Sequence, residues 1–441
     1  MIRNWIGSLL VLAVAGLSGP AAWGVELVAG PMVGHVTDKS ARLWMQFPVA
    51  GDVTINAFEV ERNIEVSSLR VGLEGPTPFV CDVPVSGLQA NKNYRVEVKF
   101  DGQPMKTPEL VIRTAPLPGE ETTFTAAFGG GVDIEPLGAG GGTTQMAPVF
   151  KPHKMPIFRA IEDSKPRAFF FLGQTGQLPA RLEDYPTTHR GAYRFIADFQ
   201  SLIRREPDLQ GLFRNVACYA VYGDRDFGPA EAKAGATQAA AGAAGGYVFA
   251  QESLVAFQRF WPNADWGTPE YPGCYSKCSF GDVDFFLLDG RTYRDSKALL
   301  GEAQLAWLEK NLKASHATFK VLGAAYPLFG DGQEGWAKCP PERDAFVKWL
   351  GENQINGVLA MVGGQPVAGI TKYDAPGVKY PLLTVTSGKL FAPELDQKAQ
   401  TFGTLDFGAL REHRFVTLQV RDGAGKVKAE QTLLAVSLRG R

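Results

Sequence analysis

Hydrophobic and polar positions follow two different rhythms along the chain. Between residues 26 and about 115 the period is two. In "ARLWMQF" Leu43 and Met45 alternate with Trp44, and in "YRVEVKFDG" Tyr94, Val96, Val98 and Phe100 precede an Asp101-Gly102 turn. Such alternation bounded by turn residues predicts half-buried strands. The stretch "APLPGEETT" interrupts it with two prolines and a glycine, which makes residues 116–123 a linker. From Phe124 onward, short apolar runs alternate with helical patterns. "TFTAAFG", "RAFFFLGQ", "NVACYAVYGD", "DVDFFLLDGRTY", "FKVLGAAYP" and "GVLAMVGG" predict buried strands. "MPIFRAIEDSKP", "YRFIADFQSLI", "SLVAFQRFW", "LGEAQLAWLEKNLKAS" and "ERDAFVKWLGEN" predict helices between them. An apolar run, a glycine turn and then polar residues recur four times. In α/β sheets, ligands sit outside such strand C-termini. The tail 411–438 predicts a hairpin around "RDGAGK", and residues 231–246 ("EAKAGATQAAAGAAGG") predict a mobile low-complexity loop.

Length adds that 441 residues exceed one ordinary core, so two domains are expected. Hydrophobic residues make up 45% and charged residues 21%, which is globular material. A formal net charge of −1 with no basic run argues against nucleic acid as a partner. The N-terminus reads as a signal peptide over residues 1–24. Arg3 is its positive end, residues 6–17 are apolar, and Ala22 and Gly24 are the small residues before a cut. The apolar run falls short of the ~20 residues of a spanning helix. No other segment has that length, so the expectation is export to the periplasm, cell envelope or exterior, with no transmembrane segment in the mature chain. Five cysteines (Cys81, Cys218, Cys274, Cys278, Cys339) leave at least one unpaired, and their pairing is open.

Two resemblances organise these elements. Leu88 stands six residues before Tyr94 in "LQANKNY", which resembles the tyrosine corner of a fibronectin type III sandwich. The α/β part resembles the PhoD-like alkaline phosphatases of the metallophosphatase superfamily. The resemblance rests on "FWPN" (260–263), "FGDVDFFLLDGRTYR" (280–294), "LGEAQLAWLEKNLKAS" (300–315) and "YPLLTVTSGKL" (380–390), which follow one another in family order. Together these imply an α/β metallophosphatase-like layered fold over 124–441, with two central β-sheets flanked by helices. A small fibronectin type III-like β-sandwich over 25–115 precedes it. The family's chemistry, implied by the resemblance, is phosphate-ester hydrolysis by a dinuclear metal centre, whose two ions clamp the attacking and leaving oxygens.

The positions that would hold those ions have other residues. Where the family has a cysteine ligand, "AFGGGVDIEP" has Gly131, with Asp133 and Glu135 following. Where an aspartate would bridge the metals, "FLGQTGQ" has Gln174, whose neutral amide cannot replace a carboxylate. In "VYGDRDFGP" Gly223 replaces the first aspartate, while Asp224 and Asp226 remain. Arg225 stands where a histidine would be, and Ala230 takes an asparagine's place. An arginine is permanently charged and opposes metal entry. In "MVGGQPVAG" Gly364 and Pro366 replace an aspartate and a histidine. None of the five histidines (His35, His153, His189, His316, His413) has metal-ligand spacing.

The expected protein is therefore an exported pseudo-enzyme that keeps the scaffold without the metal centre and acts in binding or as an envelope component. No cofactor is expected. Arg225 is the candidate for holding a phosphate-like anion, with neutralisation of Asp224 and Asp226 by Arg225 as the preferred reading. The alternative is a divergent phosphoesterase with a calcium or magnesium ion on Asp133, Glu135, Asp224 and Asp226, since these ions accept all-oxygen shells.

Overall fold

The computed structural model describes residues 25–75, 77–134, 150–229, 232, 247–330 and 335–439. The expected signal peptide, Glu135, Ala230 and all of the expected mobile loop except Ala232 and its flank from Tyr247 lie outside the described residues. The period-two region forms two antiparallel sheets. Ala29–Val36, Ser40–Phe47 and Phe79–Ser86 make one of three strands. Gly51–Glu59, Ile64–Leu73, Asn93–Phe100, Gln103–Pro104 and Leu110–Arg113 make the other. The sheets pack through Phe47 stacked on Phe100 at 5.3 Å. Tyr94 is buried, and its hydroxyl accepts the Gln89 N–H at 2.8 Å, tying the loop before the strand to the strand itself.

Alternation in Ser40–Phe47 predicts one wet face, yet Leu43, Trp44 and Met45 are all buried. The second face is covered by the α/β part. Trp44 donates its indole N–H to the Arg259 carbonyl at 2.8 Å and packs on Phe260. A Cβ on Gly34 would stand 2.2 Å from the Pro262 ring, so the two units meet here at backbone distance.

Beyond Phe124 two sheets face each other. The seven-stranded sheet runs Ala217–Val221, Ala168–Leu172, Phe124–Val132, Thr401–Leu410, His413–Asp422, Val427–Leu434, and Lys389–Phe391 pairs with the end of Phe124–Val132. Its first three strands are parallel and the next three antiparallel. The six-stranded sheet runs Ser276–Phe280, Val283–Leu287, Phe319–Ala324, Val358–Val362, Leu382–Thr386, Gly369–Tyr373, with its four central strands parallel. Strands buried on both faces read as unbroken apolar runs, as Ala168–Leu172, Ala217–Val221 and Val358–Val362 do. Phe170 stacks on Phe285 between the sheets at 4.6 Å. Arg414 of one sheet is bidentate to Asp282 of the other at 2.7 and 2.9 Å, with both buried.

Helices His189–Ile203 and Ala250–Phe260 pack together on the seven-stranded sheet, where Trp261 meets Phe171. Helix Glu302–Ala314 covers the other sheet, with Trp307 edge-on to Phe286. The hairpin expected in 411–438 forms, with its turn at Gly423–Lys426. Beyond Phe124 five strands have no counterpart in the sequence reading: Ser276–Phe280, Gly369–Tyr373, Leu382–Thr386, Lys389–Phe391 and Thr401–Leu410. Ser276–Phe280, Gly369–Tyr373 and Thr401–Leu410 pair antiparallel, and in Thr401–Leu410 both faces are buried, which erases the alternation. All five cysteines are buried and free, and burial pushes the Cys81 thiol up to about 12. Among the described residues no helix is long and apolar enough to cross a membrane.

Candidate functional site

Seven parallel strands, three from one sheet and four from the other, end on one side of the molecule, and the turns after them line a cleft of about 790 Å³. Gln174, Asp224, Arg225, Gly364 and Pro366, which are distant in sequence, all line it, and so does Asp133. Gly131, Gly223 and Asp226 lie beside or beneath it: Gly131 against Lys389, Gly223 against Gln174, and Asp226 fully buried. Those sequence-derived positions that lie among the described residues thus come together at one cleft.

The space between the strand ends is filled by backbone. A Cβ on Gly364 would stand 3.1 Å from the carbonyl carbon of Gly130, and one on Gly363 would stand 2.9 Å from that of Gly129. A Cβ on Gly223 would approach the Gln174 nitrogen to 2.3 Å, and one on Gly173 would approach Gly223 Cα to 2.8 Å. Gly364 also holds φ +69°, a region L-residues avoid. The glycines at these positions therefore permit a close approach as well as lacking donors.

The retained carboxylates are taken up by the protein. Asp226 accepts five hydrogen bonds, from the backbone N–H groups of Gln174, Thr175, Gly176 and Gly223 and from the Thr175 hydroxyl, at 2.5–2.9 Å. Burial pushes its carboxyl up, and those donors draw it back down. Its part is to hold the turn 174–176, in which Gln174 has φ +55°. Asp224 forms an ion pair with Arg291 at 3.1 Å. Asp133 pairs with Lys389 at 2.5 Å and accepts from the Gln177 amide.

Arg225 does not do what the sequence suggests. In place of neutralising Asp224 and Asp226, it donates Nε to the Leu178 carbonyl at 2.6 Å and Nη2 to the Gln177 carbonyl at 3.4 Å. The short helix Asp224–Phe227 places residues 224 and 226 on different sides of Arg225, one toward the cleft and one into the turn. Its guanidinium follows the 177–178 segment that crosses above it.

Five cations line the cleft (Arg225, Arg291, Arg294, Lys338, Lys389) against three carboxylates (Asp133, Asp224, Glu394). Sequence reasoning named only Arg225 among the cations. The others stand directly after strand ends, in "LDGRTYR" and "TSGKL", or on the neighbouring turn carrying Lys338, and that position was the available signal. No histidine lines the cleft. His35 meets the Tyr219 hydroxyl, His153 pairs with Glu206 and His189 with Glu252. Among the described residues no three His, Cys, Asp or Glu side chains come together as a metal-holding group. The donors of a dinuclear centre, bridging carboxylate and imidazoles included, are not what these strand ends present.

Residues 200–364 match the model of a family described as PhoD-like phosphatase, and residues 24–114 match a domain of unknown function. Comparison with curated proteins finds no match. Among solved structures, one titled as the structure of PhoD superposes with a TM-score of 0.70 at 15% identity, covering 95% of this chain and 93% of that one. Purple acid phosphatase PPD1 from yellow lupin (Lupinus luteus) seeds superposes with a TM-score of 0.60 at 15% identity, covering 92% and 74%. The resemblance to PhoD-like phosphatases holds, and the two structural likenesses show a shared metallophosphatase-type fold.

Proposed function

We propose that this chain, PhoD-like in fold, is an exported pseudo-enzyme whose cleft binds a phosphate-like anion without hydrolysing esters. The observation that carries this reading is the state of the four strand ends: glycines packed backbone to backbone, and carboxylates occupied by Arg291, Lys389 or a ring of N–H donors. A cation approaching Asp133 or Asp224 would have to displace an ammonium or a guanidinium. The same cations, with Arg225, Arg294 and Lys338, suit an oxyanion. Fold outlasts chemistry because the chemistry belongs to side chains grafted on it. The N-terminal unit, with Tyr94 tied to Gln89, is read as a fibronectin type III-like sandwich, and export follows from the signal-peptide features of residues 1–24.

The test uses the mature protein purified without chelator. Elemental analysis is expected to give less than one metal per chain. Bis-p-nitrophenyl phosphate is expected to be stable with and without added divalent ions. Calorimetry with inorganic phosphate is expected to show binding that weakens in Lys389→Gln. Stoichiometric metal with metal-dependent turnover overturns the reading in favour of a rebuilt calcium or magnesium site.

A further inference from the structure

A second pocket opens at the other end of the same strands. Lys165, Pro166 and Arg167 precede Ala168–Leu172, and Asn215 and Val216 precede Ala217–Val221. Five-residue strands put this pocket about 16 Å from the cleft. Its volume is about 280 Å³, and the N-terminal unit closes it with Val33 and Arg113. It therefore lies on the junction between the two units.

Three cations line it (Arg113, Lys165, Arg167) with one carboxylate, Glu162. Glu162 also has neighbours away from these three cations. Its oxygens lie 2.3 and 2.6 Å from where a Gly211 Cβ would stand, and Arg159, Arg214 and the Leu212 N–H offset the burial that pushes it up. Arg167 is 7% exposed and bonds only neutral acceptors, Asn91 Oδ1 at 2.9 Å and the Thr114 carbonyl at 2.5 Å. Its Nε has no hydrogen-bond partner. Arg113 and Lys165 make no ion pair among the described residues. A buried guanidinium with Arg113 beside it and no ion pair of its own among the described residues, offset by Glu120, is compensated only in part. Burial and the neighbouring Arg113 lower Arg167 to about 10.

We propose that this junction pocket is a second anion site, separate from the cleft, that takes a phosphate group, free or on a small monoester. Guanidinium forks and an ammonium supply charge-assisted donors to a tetrahedral oxyanion, and one bound there would hold the two units together through Arg113 and Arg167. A purely structural Arg167 would need no anion, and the two cases separate experimentally.

The full chain is titrated calorimetrically with inorganic phosphate and, separately, with glycerol phosphate. Variants are Arg113→Gln/Lys165→Gln, which changes only exposed side chains, and the cleft variant Lys389→Gln. The expected result is a binding event that survives the cleft variant and weakens at least ~10-fold in the junction variant. The phosphate-dependent rise in unfolding temperature is expected to shrink with it. Tighter binding of the ester than of inorganic phosphate would assign the site to a monoester, and the reverse to the free ion. Phosphate binding unaffected by the junction variant, or absent from the wild-type chain, overturns the proposal. Loss confined to the cleft variant overturns it while sparing the cleft's own assignment.

Discussion

Asp226 shows how a strand-end carboxylate can be taken up entirely by the protein around it. A carboxylate at a strand end offers acceptor capacity to whatever comes near, and here four N–H groups and a hydroxyl have come. Asn at this position would keep the volume but turn an NH2 toward donors and remove the charge. Hydrogen bonds to a charged acceptor contribute more than neutral ones, so Asp226→Asn is expected to destabilise the fold by about 3 kcal/mol. Urea unfolding followed by tryptophan fluorescence measures it. A change within error of zero would mean that the turn 174–176 holds itself. The same residue in a working metal site would show the opposite balance, with little stability lost and all activity gone.

At the scale of strands and turns, the deciding feature is the approach of Gly129–Gly131 to Gly363–Gly364, and of Gly173 to Gly223. Restoring donors is therefore more than a change of residue type. The back-substituted chain Gly131→Cys/Gln174→Asp/Arg225→His/Gly364→Asp/Pro366→His is expected to bind no stoichiometric zinc, iron or manganese by elemental analysis. It is also expected to unfold at a lower temperature than the parent. Gly364→Asp alone places a Cβ 3.1 Å from the Gly130 carbonyl carbon at a φ of +69°, a strain of about 1–3 kcal/mol. Recovery of both metal and turnover would show that the turns can make room for ligands, and that side-chain identity alone decides metal binding. The glycine identities and the cations after strand ends were legible in the chain. The closure between turns was not, because no residue in any one turn encodes its distance from another.

For the whole molecule, the junction between the two units is where stability couples to pH. His35 sits in it, with its ring against the Tyr219 hydroxyl and its backbone N–H on the Pro262 carbonyl. Burial, with Arg42 nearby, lowers its pKa from 6.5 to about 4. The folded chain therefore refuses a proton that the unfolded chain accepts between those values. Stability is complete above pH 6.5 and falls as pH drops toward 4, by up to about 3 kcal/mol. His35→Gln removes the titration. The unfolding temperature is expected to drop from pH 7 to pH 4.5 in the parent and to drop less in the variant. Equal drops would place the acid sensitivity in the carboxylates. Because Trp44, His35 and Arg167 all bond across the junction, the two units are expected to unfold together in that experiment.

Much of this protein is written locally. Unbroken apolar runs specify strands covered on both faces, alternation specifies the N-terminal sheets, and the residue types at four strand ends lack the imidazoles and the bridging carboxylate that the resemblance implies for a dinuclear centre. Tertiary structure alone decided which partners the charged groups there have. Asp226 found four of its five donors some fifty residues away, Asp224 chose Arg291 over its neighbour Arg225, and Arg167 came to face Arg113 across a domain junction. Each of those outcomes depends on distances between segments remote in the chain. Hydrophobic packing of sheets and helices sets such distances, and the charged groups then settle with whatever partners that packing brings within reach.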